Sequence, residues 1–219
     1  MASIEELRES RLKKLEALQT LGVSAYPTKT SQSHTLEATE KDFTVLESNK
    51  TEIVVAGRVM TSRGQGAIAF LDLYDGTLRM QVVVKLPESP EETMKFLREY
   101  VDVGDFIEVT GVAFKTKSGQ HSVLATSISM LSKALLPLPD KYHGLQDEEL
   151  RMRERYLDIL TNQELKDSFV KKAKFWKVVR NFLDSHGFLE VETPTIEVTT
   201  GGAEARPFKT HHNDFDLEV

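Results

Sequence analysis

Between residues 51 and 133 five short apolar runs follow one another in a fixed order. That order restricts the fold more than anything else in the chain. Residues 53–60 and 67–74 have the composition of strands, Asp75-Gly76 is a hairpin signal, and residues 78–85 complete the hairpin. A helix is expected next, with Ser89 as its cap, Pro90 at its first position and Glu92 closing the capping box. It should reach Tyr100. Residues 106–114 and 121–131 give two more strands, joined by Lys117-Ser118-Gly119. Three strands, a helix and two strands is the connectivity of an OB barrel. Closure into a barrel also removes exposed sheet edges.

The flanking segments are helical or irregular. Residues 3–21 are predicted to form a helix. Ser3 and Glu6 make a capping box, Gly22 supplies the stop, and Ile4, Leu7, Leu12, Leu15, Leu18 and Leu21 make an apolar stripe. This stripe fits a docked helix, or an arm that touches a partner or RNA. Residues 24–50 are polar, with one short helix expected over 36–46 and no assigned chemistry. Residues 134–160 form a connector, stiffened by Pro137 and Pro139, with a helix starting at the cap residue Asp147. Asn162 caps a longer helix to 186, with Leu165, Phe169, Trp176, Val179 and Leu183 at helical spacing and Gly187 at its end. Residues 188–194 alternate like a strand whose Pro194 confines it to an edge or end. Residues 215–219 are strand-like again. The expected division is therefore 1–50 N-terminal helix and linker, 51–133 barrel, 134–160 connector and 161–219 part of an α/β domain, an α+β fold class.

Composition excludes several kinds of function. The chain has 219 residues and no Cys, which removes disulfide scaffolds, cysteine nucleophiles and thiolate metal sites. Its 28 Lys+Arg against 34 Asp+Glu leave a net charge of −6, which argues against general polyanion binding. Basic and acidic residues balance within the barrel stretch, so any nucleic-acid recognition there must be local. No apolar run is long enough to span a membrane, and the N-terminus does not resemble a signal peptide, so a cytoplasmic setting is expected.

An OB barrel reads single strands across its second and third strands, with aromatic rings as stacking platforms. Phe70 lies on the second strand and suits either stacking or the barrel core. Gln81 lies on the third strand and Arg63 in the loop before the second. A guanidinium there could meet phosphate or a base edge, and both residues also suit a solvated surface. Arg151, Arg153 and Arg155 are expected to pair with Glu148, Glu149 and Glu154. Gly201-Gly202 suits a tight turn or close backbone approach to a ligand. His211-His212 is a poor metal pair, because adjacent side chains diverge, and no metal site is expected in this chain.

Several stretches taken together resemble class II lysyl-tRNA synthetases. Leu136-Pro137-Leu138-Pro139-Asp140-Lys141-Tyr142-His143-Gly144-Leu145-Gln146-Asp147, leading to Arg151-Met152-Arg153-Glu154-Arg155-Tyr156-Leu157-Asp158, is similar to that family's linker. Gly187-Phe188-Leu189-Glu190-Val191-Glu192-Thr193-Pro194 is similar to class II motif 1. Gly201-Gly202-Ala203-Glu204-Ala205-Arg206-Pro207-Phe208 is similar to the loop that follows it. The resemblance implies that the barrel binds the anticodon of tRNA(Lys), with Phe70 stacking a base and Arg63, Gln81 and Gln120 contacting bases or backbone. Gln120 stands where the family pattern has Glu, and its donor and acceptor pattern differs. Pro194 would face a second subunit of a homodimer, and Gly202 would lie against substrate L-lysine.

The implied reaction has two steps, with ATP and Mg²⁺ as family cofactors. The lysine carboxylate attacks the α-phosphate of ATP, giving lysyl-adenylate and pyrophosphate. The 3′-terminal adenosine of the tRNA then takes the lysyl group. The arginines and acidic groups for this chemistry belong to motifs 2 and 3, which do not occur in the 219 residues. The chain therefore resembles a portion truncated after motif 1, expected to hold no catalytic residue and to be inactive alone. An alternative is a stand-alone, non-catalytic OB module that binds tRNA. Residues 161–219 are expected to pack loosely, because the apolar face of Phe169, Trp176 and Leu183 lacks a sheet.

Overall fold

In the computed structural model the strand β1 (Glu52–Gln65) is long enough to serve two neighbours. Its first half pairs antiparallel with β4 (Phe106–Lys115), and its second half with β2 (Ile68–Tyr74). A bulge between Val59 and Thr61 marks the change, where an extra residue bends the strand from one partner to the other. With β3 (Arg79–Lys85) and β5 (His121–Ser132), the strands close in the order β1-β2-β3-β5-β4. The closing seam is a short parallel pairing of Gln81, Val82 and Val83 with Ser122, Val123 and Leu124. The OB connectivity expected from the sequence is present. The structure describes residues 3–139, 145–199 and 206–219.

Strand alternation builds the core. Ile53, Val55, Val59, Leu71, Leu73, Val82, Val84, Ile107, Val109 and Val123 point inward and are fully or almost fully buried. The helix α4 (Glu91–Tyr100) adds Met94 and Leu97. Ser89 does not cap this helix; the position before the helix is Pro90, without a side-chain cap bond. The Ser89 hydroxyl is instead buried, accepting from the Lys85 amide at 3.0 Å and donating to the Ala125 carbonyl at 2.6 Å. Its neighbours in space outcompete the local cap.

The helix α1 (Ile4–Thr20) has the expected Ser3–Glu6 capping box, and Gly22 at φ +71° follows its end. Its attachment differs from the leucine stripe. Ile4 and Leu21 are exposed, whereas Leu18 and Arg11 are buried. The Arg11 guanidinium donates to the carbonyls of Ala134 (3.1 Å), Leu136 (2.8 Å) and Val103 (2.9 Å). Lys14 meets Asp102 at 2.6 Å. Lys133, fully buried, meets Asp102 at 2.5 Å and the equally buried Asp105 at 2.7 Å. In place of one helix over 36–46 there are two, α2 (Leu36–Lys41), capped by Thr35, and α3 (Phe43–Asn49).

Residues 1–148 form one compact unit and 149–219 a second. At the division the expected single helix is broken at Glu154 into α5 (Glu148–Arg153) and α6 (Arg155–Thr161). Only Arg153 makes an expected pair, with Glu149 at 2.7 Å. Arg151 and Arg155 converge on the buried Asp158 at 3.0 and 3.2 Å. Asn162 caps α7 (Gln163–Ser185) as expected, accepting from the Leu165 amide at 3.0 Å. Phe169, Trp176 and Leu183 are exposed. Residues 188–194 are not a strand. They are exposed and no described strand lies beside them to complete a ladder. The terminal strand-like run reduces to β7 (Leu217–Glu218), paired with β6 (His211–His212). His211 meets Asp216 at 3.2 Å.

Candidate nucleic-acid interface

The outer face of β1, β2 and β3 carries two cross-strand rows, fixed by register. One row is Arg63, Phe70 and Val83; the next is Thr61, Asp72, Gln81 and Ser122. Arg63 is therefore not in a loop. The strand extends to Gln65, past the apolar run, and residues 61–65 are polar because they project beyond the core. Its guanidinium carbon lies 5.7 Å from the centre of the Phe70 ring, within cation–π range. Phe70 is half-buried between the inward-facing Ala69 and Leu71, so it belongs to the outer face and not to the core. A half-exposed ring with a cation at its side can stack a base and meet a phosphate.

The hairpin that holds Arg63 is closely packed. At Gly64 a Cβ would stand 2.5 Å from the Ile68 carbonyl oxygen and 2.7 Å from the Ala69 Cα, so only glycine permits the strands to approach so closely. Gly66, at φ +61°, makes the turn. Arg98 of α4 donates to the Gly66 carbonyl, tying the hairpin tip to the helix.

Beside the Phe70 row lies a cleft of about 400 Å³, lined by Glu40, Arg79, Gln81, Gln120 and His121. This is room for a small planar group. Gln81 is neither core nor solvated surface. It is 3% exposed and accepts from the Ser122 hydroxyl at 3.1 Å. Gln120 is exposed in the turn between β4 and β5. The Thr116 amide donates to its carbonyl at 3.0 Å, and its own amide donates to the Thr116 hydroxyl at 3.0 Å. The two glutamines therefore share one cleft, and Arg63 and Phe70 form the adjoining platform.

Five further residues at this face escaped the sequence reading. Arg79 stands one outer-face step before Gln81 and lies 5.6 Å from the centre of the Tyr74 ring; its place two residues before Gln81 on an alternating strand was the available signal. His121 stacks on Phe43 with ring centres 3.8 Å apart and planes 5° from parallel, and its Nδ1 meets Glu40 at 2.8 Å. Glu40 and Phe43 come from the helices α2 and α3, a segment with no recognisable chemistry in sequence. Ser122 has no signal except its register.

Pro194 lies exposed in the irregular segment after α7. Gly202 lies outside the described residues. Among the described residues no group of three or more His, Cys, Asp or Glu converges as a metal site. Such a set of residues does not fit Mg²⁺. Among them, too, no helix is long and apolar enough to cross a membrane.

Comparison with known proteins gives the same two-part division. Residues 53–131 match the OB-fold nucleic acid binding domain family, and residues 147–217 match the tRNA synthetases class II (D, K and N). The lysine–tRNA ligase of Clostridium perfringens (strain 13 / Type A) is 43% identical over 98% of this chain. That of Pelotomaculum thermopropionicum is 43% identical over 99%. The Thermotoga maritima enzyme is 39% identical over 99%. The chain spans less than half of each relative, 43%, 42% and 44% of their lengths respectively. With an OB barrel followed by a class II synthetase segment, the chain is similar over nearly all of its own length to part of the lysine–tRNA ligases.

Proposed function

We propose that residues 51–133 bind the anticodon loop of tRNA(Lys) as the RNA-reading part of an ATP-dependent lysine–tRNA ligase. The observation that carries this reading is the grouping of Arg63 and Phe70 beside the cleft that holds Gln81 and Gln120. Phe70 stacks a loop base, Arg63 holds its phosphate or edge, and the glutamines bond the base in the cleft. The barrel has no charge excess, so affinity comes from these few contacts and not from a broad basic footprint.

In the whole family the lysine carboxylate attacks the α-phosphate of ATP, pyrophosphate leaves, and the tRNA 3′ end then displaces AMP. There ATP would supply the adenylyl group and Mg²⁺ would neutralise charge on the phosphates. Gly202 is assigned to the lysine subsite and Pro194 to a homodimer contact, on the motif similarity quoted above.

The test is a fluorescence anisotropy titration of the 219-residue polypeptide with tRNA(Lys) and with the same tRNA carrying exchanged anticodon bases. Anticodon-dependent affinity with a shallow salt slope is expected. Equal affinity for both RNAs overturns the reading.

A further inference from the structure

The cleft beside Phe70 has one wall that does not come from the barrel. Glu40, in the last turn of α2, lines it together with Arg79, Gln81, Gln120 and His121. The C-terminal turn of a helix favours cations, and α2 places Lys41 there, so Glu40 runs against that preference. The helix itself gives no reason for a carboxylate at this position.

Contacts with the barrel hold the carboxylate in place. The His121 ring lies on Phe43, which is 2% exposed, with centres 3.8 Å apart and planes 5° from parallel. A carboxylate only accepts, so His121 Nδ1 carries the hydrogen and donates to Glu40 Oε1 at 2.8 Å. The two helices are tied to the barrel at further points. The Leu36 amide donates to Asp75 at 2.9 Å, and the Lys115 amide donates to Glu47 Oε1 at 2.8 Å. Among the described residues Glu40 pairs with His121 and not with Arg79. An anion and a cation therefore line one cleft without cancelling each other by contact.

We propose that Glu40 is a charge gate that keeps phosphate out of this cleft and so determines which part of a nucleotide enters it. A guanidinium and amides alone would make a general anion site, open to any phosphate of any RNA. The Glu40 carboxylate repels phosphate and leaves a neutral base unopposed. Phosphate is then accepted at Arg63, outside the cleft, and the strand lies with a base inward. His121 is the positioning residue, since its Nδ1 holds the carboxylate at the cleft. The inference rests on the RNA-binding reading above and adds how the cleft rejects RNA backbone.

The test titrates the 219-residue chain with two hairpin RNAs at about pH 8, above the ordinary imidazole range. One carries the anticodon loop of tRNA(Lys); the other has its loop bases removed, leaving sugar and phosphate. Wild type should prefer the loop with bases. Glu40→Gln keeps the shape and removes the charge. It should bind the abasic loop about two- to fivefold more tightly and narrow the preference by that factor. The gain should fade as salt rises. Glu40→Lys should enlarge it, and decides the matter if Glu40→Gln does not fold. His121→Phe, which keeps a ring on Phe43 and loses the N–H, should shift the preference the same way by a smaller factor. Circular dichroism melts check folding. Damage to the wall would weaken both hairpins, so a gain in affinity separates a gate from a merely structural part. An unchanged preference in folded Glu40→Gln, weaker binding of the abasic loop by that variant, or equal binding of both loops by wild type overturns the inference alone. Failure of wild type to bind either hairpin overturns the RNA-binding reading and the inference with it.

Discussion

The guanidinium of Arg63 and the ring of Phe70 face each other across the β1–β2 ladder as direct register partners, 5.7 Å apart. Both lie outside the core, so their removal separates binding from stability. Phe70→Ala is expected to weaken binding of a hairpin RNA by about 1–3 kcal/mol, the contribution of one stacked base. The urea midpoint should move little. Arg63→Ala should also weaken binding, and Arg63→Lys should not restore it, because an ammonium lacks the planar fork. Anisotropy titrations beside urea melts check both outcomes.

Gly64 sits next to Arg63 where the hairpin strands come closest. A methyl group there meets backbone at 2.5 Å, not the movable end of a side chain. Gly64→Ala is therefore expected to cost about 1–3 kcal/mol as the strands are forced apart. It should reduce RNA affinity as well, since Arg63 moves with them. A control at Gly119 offers open space, but its φ of +84° makes Ala strained there for a different reason.

Lys133 places a cation between Asp102 and Asp105 with no exposure to water. Its ammonium also donates to the Tyr100 carbonyl at 2.8 Å. Lys133→Met keeps the stem and removes the charge, leaving Asp105 buried without its cation. A loss of about 3–5 kcal/mol is expected by urea denaturation. A double variant that also replaces Asp105 by Asn should recover part of it, because the uncompensated charge is then gone.

Acid should loosen the attachment of α1. Burial pushes the Asp102 carboxyl up, but Lys133 and Lys14 outweigh it and hold the group below its ordinary 3.8. Asp75 behaves alike: burial raises it, and hydrogen bonds from the Thr77 hydroxyl and the amides of Thr77, Leu78 and Leu36 lower it further. With the folded value below the unfolded one, the unfolded chain binds more protons between the two. Stability is complete above the ordinary value and falls as pH drops through the folded one. Urea midpoints followed from about pH 6 to about pH 2 should fall at the acid end, and Asp102→Asn should make that fall shallower.

The barrel was legible because its order of strands and helix is written in local patterns: Asp75-Gly76, alternating apolar residues, and a helix between the third and fourth strands. Phe70, Gln81 and Gln120 could be named, but not what surrounds them. The extension of β1 to Arg63 was hidden because those residues pass beyond the core and carry no alternation. Ser122 and Ser89 show the same limit, since each hydroxyl is used by a residue distant in sequence. Arg11 was hidden in a leucine pattern, although its guanidinium bonds three carbonyls that the leucines cannot reach. The strand expected at 188–194 needed a neighbour that an alternating pattern cannot supply.

The parallel seam of β3 and β5 also sets when the outer face of the barrel is completed. Gln81 and Ser122 are brought together by three residue pairs, across a helix and a whole intervening strand. A growing chain that has released β1 to β3 already carries Arg63 and Phe70, yet Gln81 still lacks its seam partner Ser122. The cleft that holds Gln81 and Gln120 therefore exists only when β5 has been released and the ring is shut. A ligand of that cleft would bind the shut form and not the open one, and would stabilise closure by mass action. The seam is thus a built-in order of events, in which the Arg63–Phe70 platform forms before the cleft beside it.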